Sequence, residues 1–214
     1  MPSRLRSITL LLILLTPSLA SAQQSPAPSS SSKTKQKSEQ HVRPSRPAAP
    51  ETGEGTYHNA HFGFTYQPPY GWVERTRQMQ EDGNDSSKSQ LLLAVFERPP
   101  EATGDTVNSA VIIAAESVAS YPGLKTAADY MGPLTELTTG KGFKVAHEPY
   151  EYLVGTRPLV RSDFVKDLGQ LTMHQSSLVL LEKHFIVSFT FIGGSEDEVE
   201  ELIEKLSVRG AKSQ

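Results

Sequence analysis

The side chains in this chain that could do chemistry are few in kind. Its 214 residues include six histidines and no cysteine, which excludes a disulfide framework, a thiolate zinc site, a cysteine nucleophile and a lipid-modified N-terminal cysteine. His147-Glu148 opens like a zincin signature, in which two histidines one helical turn apart grip zinc beside a glutamate base. Glu151 stands where the second histidine belongs. Asp82, Asn84 and Ser86 imitate the first ligands of an EF-hand loop, but Ser87 occupies the glycine position and Leu93 the place of the bidentate glutamate. The sequence contains no nucleophile elbow, phosphate-cradling loop or dinucleotide fingerprint.

The remaining polar candidates disperse once they are laid on elements. With hairpin turns where the sequence places them, His147 faces Phe164, His174 faces Ser162 and His184 sits beside Leu181, while His58 and His61 point to opposite faces. His41 falls in a linker. No metal site, catalytic residue or cofactor is therefore expected. Glu196, Glu200 and Glu204 recur every four residues opposite an apolar stripe, the pattern of a solvated helix face. Tyr66, Tyr70 and Trp72 allow two readings: an exposed aromatic patch for a ligand or partner, or Trp72 as an apolar anchor in the core under a sheet edge.

Three compositional segments carry these residues. Residues 1–22 have Arg4 and Arg6, an apolar run from Ile8 to Leu15, and small residues Ala20 and Ala22, the pattern of a secretory signal peptide cleaved after Ala22. The run is too short to cross a hydrocarbon core, which takes roughly 20 helical residues. An uncleaved anchor or a buried N-terminal helix fits less of this pattern. Residues 23–50 hold seven serines, five prolines and five basic residues against Glu39. They offer no core and read as a disordered tether of charge +4, whose basic residues could also touch anionic lipid or wall polymer. Residues 51–214 then carry -9, so the whole-chain value of -3 is a cancellation. Nothing here calls for a nucleic-acid partner or for membrane insertion after cleavage. Asn84-Asp85-Ser86 is a formal glycosylation sequon, meaningful only in a eukaryotic host, whereas the leader is bacterial in style.

Within the domain, Phe185, Val187, Phe189 and Phe191 alternate as a strand with a buried aromatic face. A helix follows, with a capping box at Ser195 and Glu198 and an apolar stripe of Val199, Leu202, Ile203 and Leu206. Phe143 to Val154, Arg157 to Lys166 and Gln170 to Leu181 read as strands joined by short turns, hence antiparallel neighbours. Leu91 to Phe96 and Ala110 to Ala115 are apolar strands. A helix opens at Thr126, which Gly132 and Pro133 are expected to kink or split. Gln78 to Ser89 reads as an exposed loop. Strands grouped between helices predict an α+β domain in which an antiparallel sheet is covered by helices.

The opening run Tyr57-x-Asn59-x-x-Phe62-Gly63-Phe64-x-Tyr66-x-x-Pro69-x-Gly71-Trp72 resembles the entry motif of the PsbP-like superfamily. Gly155-x-Arg157-Pro158, Gly169-Gln170, the aromatic strand, the terminal helix and Ser207 agree in order, so the resemblance covers 55 to 208. It implies an α/β/α sandwich around an antiparallel sheet of about six strands. It does not carry over a role, because members of that superfamily act through different surfaces. Two functions remain open. One is an exported, secreted or periplasmic, non-catalytic binding or accessory domain contacting an envelope protein or ligand. The other is a small-ligand carrier or hydrolase with an unrecognised site between sheet and helices.

Overall fold

The computed structural model describes residues 55–82 and 89–210. The leader with Ala20 and Ala22, the linker, the EF-hand look-alike after Asp82 and the sequon lie outside the described residues.

Element order is β1 (Tyr57–Asn59), β2 (Phe64–Tyr66), β3 (Val73–Glu74), α1 (Thr76–Asp82), β4 (Ser89–Phe96), β5 (Ala110–Ser117), α2 (Ala127–Gly140), β6 (Lys144–Val154), β7 (Arg157–Leu168), β8 (Leu171–Glu182), β9 (Phe185–Gly193), α3 (Glu196–Ile203) and β10 (Leu206–Val208). All strand pairs are antiparallel. They form a seven-stranded sheet ordered β3-β4-β5-β9-β8-β7-β6 and a three-stranded sheet ordered β1-β2-β10. The fold is α+β, as the sequence predicts. The large sheet has one strand more than expected because the two residues of β3 extend its edge.

One face of the large sheet packs Leu159, Leu178, Val187, Phe189 and Phe191 against α3 and the small sheet. The other face packs Val179 and Ile186 against Tyr130, Met131 and Leu134 of α2. β9 is consequently buried on both faces, not only on its phenylalanine face. The small sheet closes because Gly63 takes φ 71°, a left-handed value that favours glycine, and its N–H donates to Asn59 O at 2.8 Å.

Three expectations need correction. α2 runs unbroken through Pro133. Its start is fixed by a capping box between Thr126 and Asp129, and its buried stripe continues on both sides of the proline, so packing outweighs one missing hydrogen bond. The stretch expected as an exposed loop from Gln78 begins as helix α1, which packs Met79 against a second apolar cluster. The β8–β9 hairpin turns at Lys183 and His184, with φ 51° and 64°, one residue later than the sequence suggests. Two-residue hairpins need left-handed backbone at both positions, and here neither residue is the usual Asn or Gly.

The free edges of the large sheet differ in kind. β3 offers only two residues. β6 is long, but its register against β7 shifts between Val145 and His147 and again between His147 and Tyr150, around Pro149.

Candidate functional site

Arg161 and Asp163 are two apart on β7 and so share a face, the one that also carries Leu159. Register brings Tyr150 of β6 opposite Arg161, and Ser176 of β8 opposite Asp163. α3 crosses above, presenting Glu196 and Glu200 one turn apart. A cleft of about 310 Å³ lies between these elements.

Its floor is a charged network. The Arg161 side chain is only 7% exposed. Its Nε donates to Asp163 Oδ1 at 2.8 Å, and its Nη2 donates to Ser176 Oγ at 3.1 Å and to Glu200 Oε1. Tyr150 OH donates to Asp163 Oδ2 at 3.1 Å, and Ser176 Oγ donates to Asp163 Oδ1. The guanidinium carbon lies 4.9 Å from the Tyr152 ring centroid and 5.9 Å from that of Tyr150. Burial alone would lower the Arg161 pKa, but the hydrogen bonds to Glu200 and Asp163 outweigh it and push the value up. Burial also raises the Tyr150 hydroxyl to about 12, so it stays a donor at neutral pH. His147 Nδ1 stands 3.5 Å from Asp163 Oδ2, and His174 Nδ1 stands 3.8 Å from Glu196 Oε1.

The sequence reading dispersed these histidines, yet both line this one cleft. His147 pairs with Asp163, not Phe164, and His174 pairs with Val165, not Ser162. The glutamate stripe is likewise not purely solvated, since Glu200 caps the Arg161 network. Arg161, Asp163, Tyr150 and Ser176 were missed altogether. Their signal was a charged pair at i and i+2 on an interior strand, set between Leu159 and Val165 on the same face. Among the described residues no group of three or more histidine, aspartate or glutamate side chains is arranged to hold a metal ion.

Serine, histidine and aspartate thus meet in one cleft, but in the wrong order for nucleophilic catalysis. A hydrolytic triad places imidazole between the hydroxyl and the carboxylate. Here Asp163 stands in the middle, binding Ser176 through one oxygen and facing His147 with the other. Ser176 is buried and already engaged with Arg161.

The aromatic trio divides. Tyr66 is 0% exposed, its ring 6.1 Å from Phe191 and its hydroxyl sealed without a partner among the described residues. It faces Leu206 across β2–β10 and cannot belong to an exposed patch. Tyr70 is fully exposed, and Trp72 is half-buried against the main core.

A second buried carboxylate sits on the opposite face. Glu116 accepts from Tyr130 OH at 2.7 Å and from Tyr121 OH. Burial raises its pKa, and the two hydroxyl donors offset this only in part. A proton is therefore held more tightly by the folded chain. The associated stability is complete below the ordinary value of 4.5 and is lost as pH rises through the raised value. Thermal melts between pH 4 and pH 8 should show Glu116→Gln gaining on the parent protein as pH rises. A constant difference would contradict the raised pKa.

No family model and no curated protein matches the chain. Solved structures that it is similar to include a cyanobacterial PsbP from Synechocystis, with 15% identity over 74% of this chain and 95% of that one, TM-score 0.46. LpqN of Mycobacterium tuberculosis, described as involved in cell envelope biogenesis, gives 13% identity over 72% and 90%, TM-score 0.43. A Bacteroides thetaiotaomicron protein gives 14% identity and TM-score 0.39 over 74% of this chain, which spans only 50% of its length. At such identities and TM-scores the likeness transfers no activity.

Proposed function

We propose that the protein is an exported, non-catalytic binding domain of the bacterial envelope, with the cleft between β6–β8 and α3 as its binding site. The observation that carries this reading is the closed circuit of Arg161, Asp163, Ser176 and Glu200. Ser176 and Asp163, the hydroxyl and carboxylate at the floor, are both committed to the Arg161 network. What remains accessible is a rigid polar wall, suited to recognition. Export rests on the leader pattern of residues 1–22. Among the described residues no helix is long and apolar enough to cross a membrane.

The hydrolase reading keeps one observation in its favour, the presence of serine, histidine and aspartate in one cleft. A panel of generic esters, amides and glycosides separates the two. The binding reading expects no turnover above that of Ser176→Ala, and hydrolysis that depends on Ser176 would overturn it. Mass spectrometry of the exported protein is expected to find a chain beginning at Gln23; an intact Met1 would refute cleavage. Crosslinking in the native envelope should capture a partner or ligand that Arg161→Lys no longer retains.

A further inference from the structure

We propose that the ligand of this cleft is a neutral, hydroxyl-rich group, a saccharide unit; the proposal rests on the binding reading above. It starts from Nη1 of Arg161. Arg161 is 93% buried by its side-chain exposure of 7%, and its Nε and Nη2 are fully engaged. Among the described residues Nη1 has no hydrogen-bond partner, and it is not sealed off as Tyr66 OH and Gln175 Oε1 are. A guanidinium nitrogen left open in a cleft wall presents two donors that water, or an incoming acceptor displacing it, can satisfy.

The surroundings decide which acceptor. Four carboxylates, Glu148, Asp163, Glu196 and Glu200, line the cleft against the single guanidinium. A carboxylate or phosphate ligand would meet that excess of negative charge and be repelled. A bare cation would suit the rim but would face a donor and a fixed positive charge at the floor. A hydroxyl group suits both, accepting from Arg161 Nη1 while donating to Glu200 or Glu196 on α3.

Size and shape agree. The Glu196 side chain is 71% exposed and turned to solvent at the mouth, leaving its oxygens open to a donor. Tyr150 is 39% exposed, which leaves part of its ring open to apolar contact with the C–H groups of a sugar. At about 310 Å³ the cleft lies at the lower end of small-molecule sites, which run from about 300 to 1,000 Å³. One or two sugar rings fit better than a long chain.

The test is a titration of the intact protein, followed by amide and guanidinium NMR, with chitotriose, cellotriose and maltotriose, and with spermidine and glutamate as charged controls. A glycan array widens the saccharide set. The expected result is that at least one saccharide shifts the Tyr150, Arg161 and Glu200 signals and that neither control competes. Arg161→Lys keeps the charge but removes Nη1, and should weaken that binding by at least about tenfold. Glu196→Gln leaves the Arg161 network intact and changes an exposed side chain whose ion-pair partner is His174 at 3.8 Å, so its loss of affinity with an unchanged melting temperature guards against misfolding of the first variant. Silence across the array, unaltered affinity in both variants, or tighter binding of spermidine would each overturn the saccharide assignment. A crosslinked protein partner lost on Arg161→Lys, with the array silent, would leave the binding reading standing without it.

Discussion

Arg161→Ala is expected to lower the free energy of unfolding by about 3–5 kcal/mol, read from urea denaturation monitored by circular dichroism. The side chain is only 7% exposed and its partner Asp163 only 12%. Removing the guanidinium leaves the Asp163 carboxylate inside the fold with Ser176 and Tyr150 as its hydrogen-bond donors. Two neutral donors do not replace a full opposite charge. The same logic gives the control. Arg161→Met with Asp163→Leu removes both charges together and should recover most of the loss, because an apolar pair of similar bulk carries no desolvation cost. A double-mutant cycle isolates the coupling. If Arg161→Ala alone costs less than about 1 kcal/mol, as an exposed pair would, solvent reaches Asp163 and the network is not buried in any energetic sense.

Phe189→Ala should cost a similar amount, about 3–5 kcal/mol, by a different mechanism. The ring is 0% exposed and meets Phe64 edge-on with centroids 5.0 Å apart. It therefore joins the large sheet to the small one, and truncation opens a void between them that neither sheet can close without shifting as a whole. Phe189→Leu keeps most of the volume and should cost less than half as much. Hydrogen exchange supplies a second readout: amides of β1 and β2 should lose protection in the alanine variant before those of β8 do. Equal loss everywhere would show that the small sheet is not separately anchored by this contact.

Most of the fold was legible in the sequence because it rests on local periodicity. Phe185 to Phe191 alternates as a strand must, and Val199, Leu202 and Ile203 repeat as a helix must. The capping at Ser195 was legible too, with Glu198 N–H donating to Ser195 Oγ at 3.2 Å; the glutamate reaches back to Gly194 N–H, one residue earlier than a capping box would have it. The site was not legible, because it depends on register. The β7–β8 turn falls at Gly169 and Gln170, later than the expected Asp167 to Gly169, and moves every cross-strand partner by an odd number of positions. The shifts in β6 displace His147 once more. The expected partners Phe164 and Ser162 are two apart on β7, as the observed partners Asp163 and Val165 are, so the nearness of the two histidines was implicit in either register and was overlooked; the register decides that they share the face of Arg161. Glu116 was missed for a related reason. Its hydroxyl partners come from Tyr121, in the turn after β5, and Tyr130, on α2, and no pattern along one element reveals such an enclosure.

The bulged course of β6 bears on how crowded a solution this protein can tolerate. A flat, regular strand at the rim of a sheet invites the same strand of another molecule, and repeated pairing of that kind seeds fibrils. Here one rim is two residues long, and the other is interrupted at Pro149 and carries Glu148 and Glu151. The short β3 and the bulged, charged β6 both work against edge-to-edge pairing. With no disulfide to hold its shape, the chain relies on the packing of its interior, and the irregular borders of its large sheet disfavour association through strands.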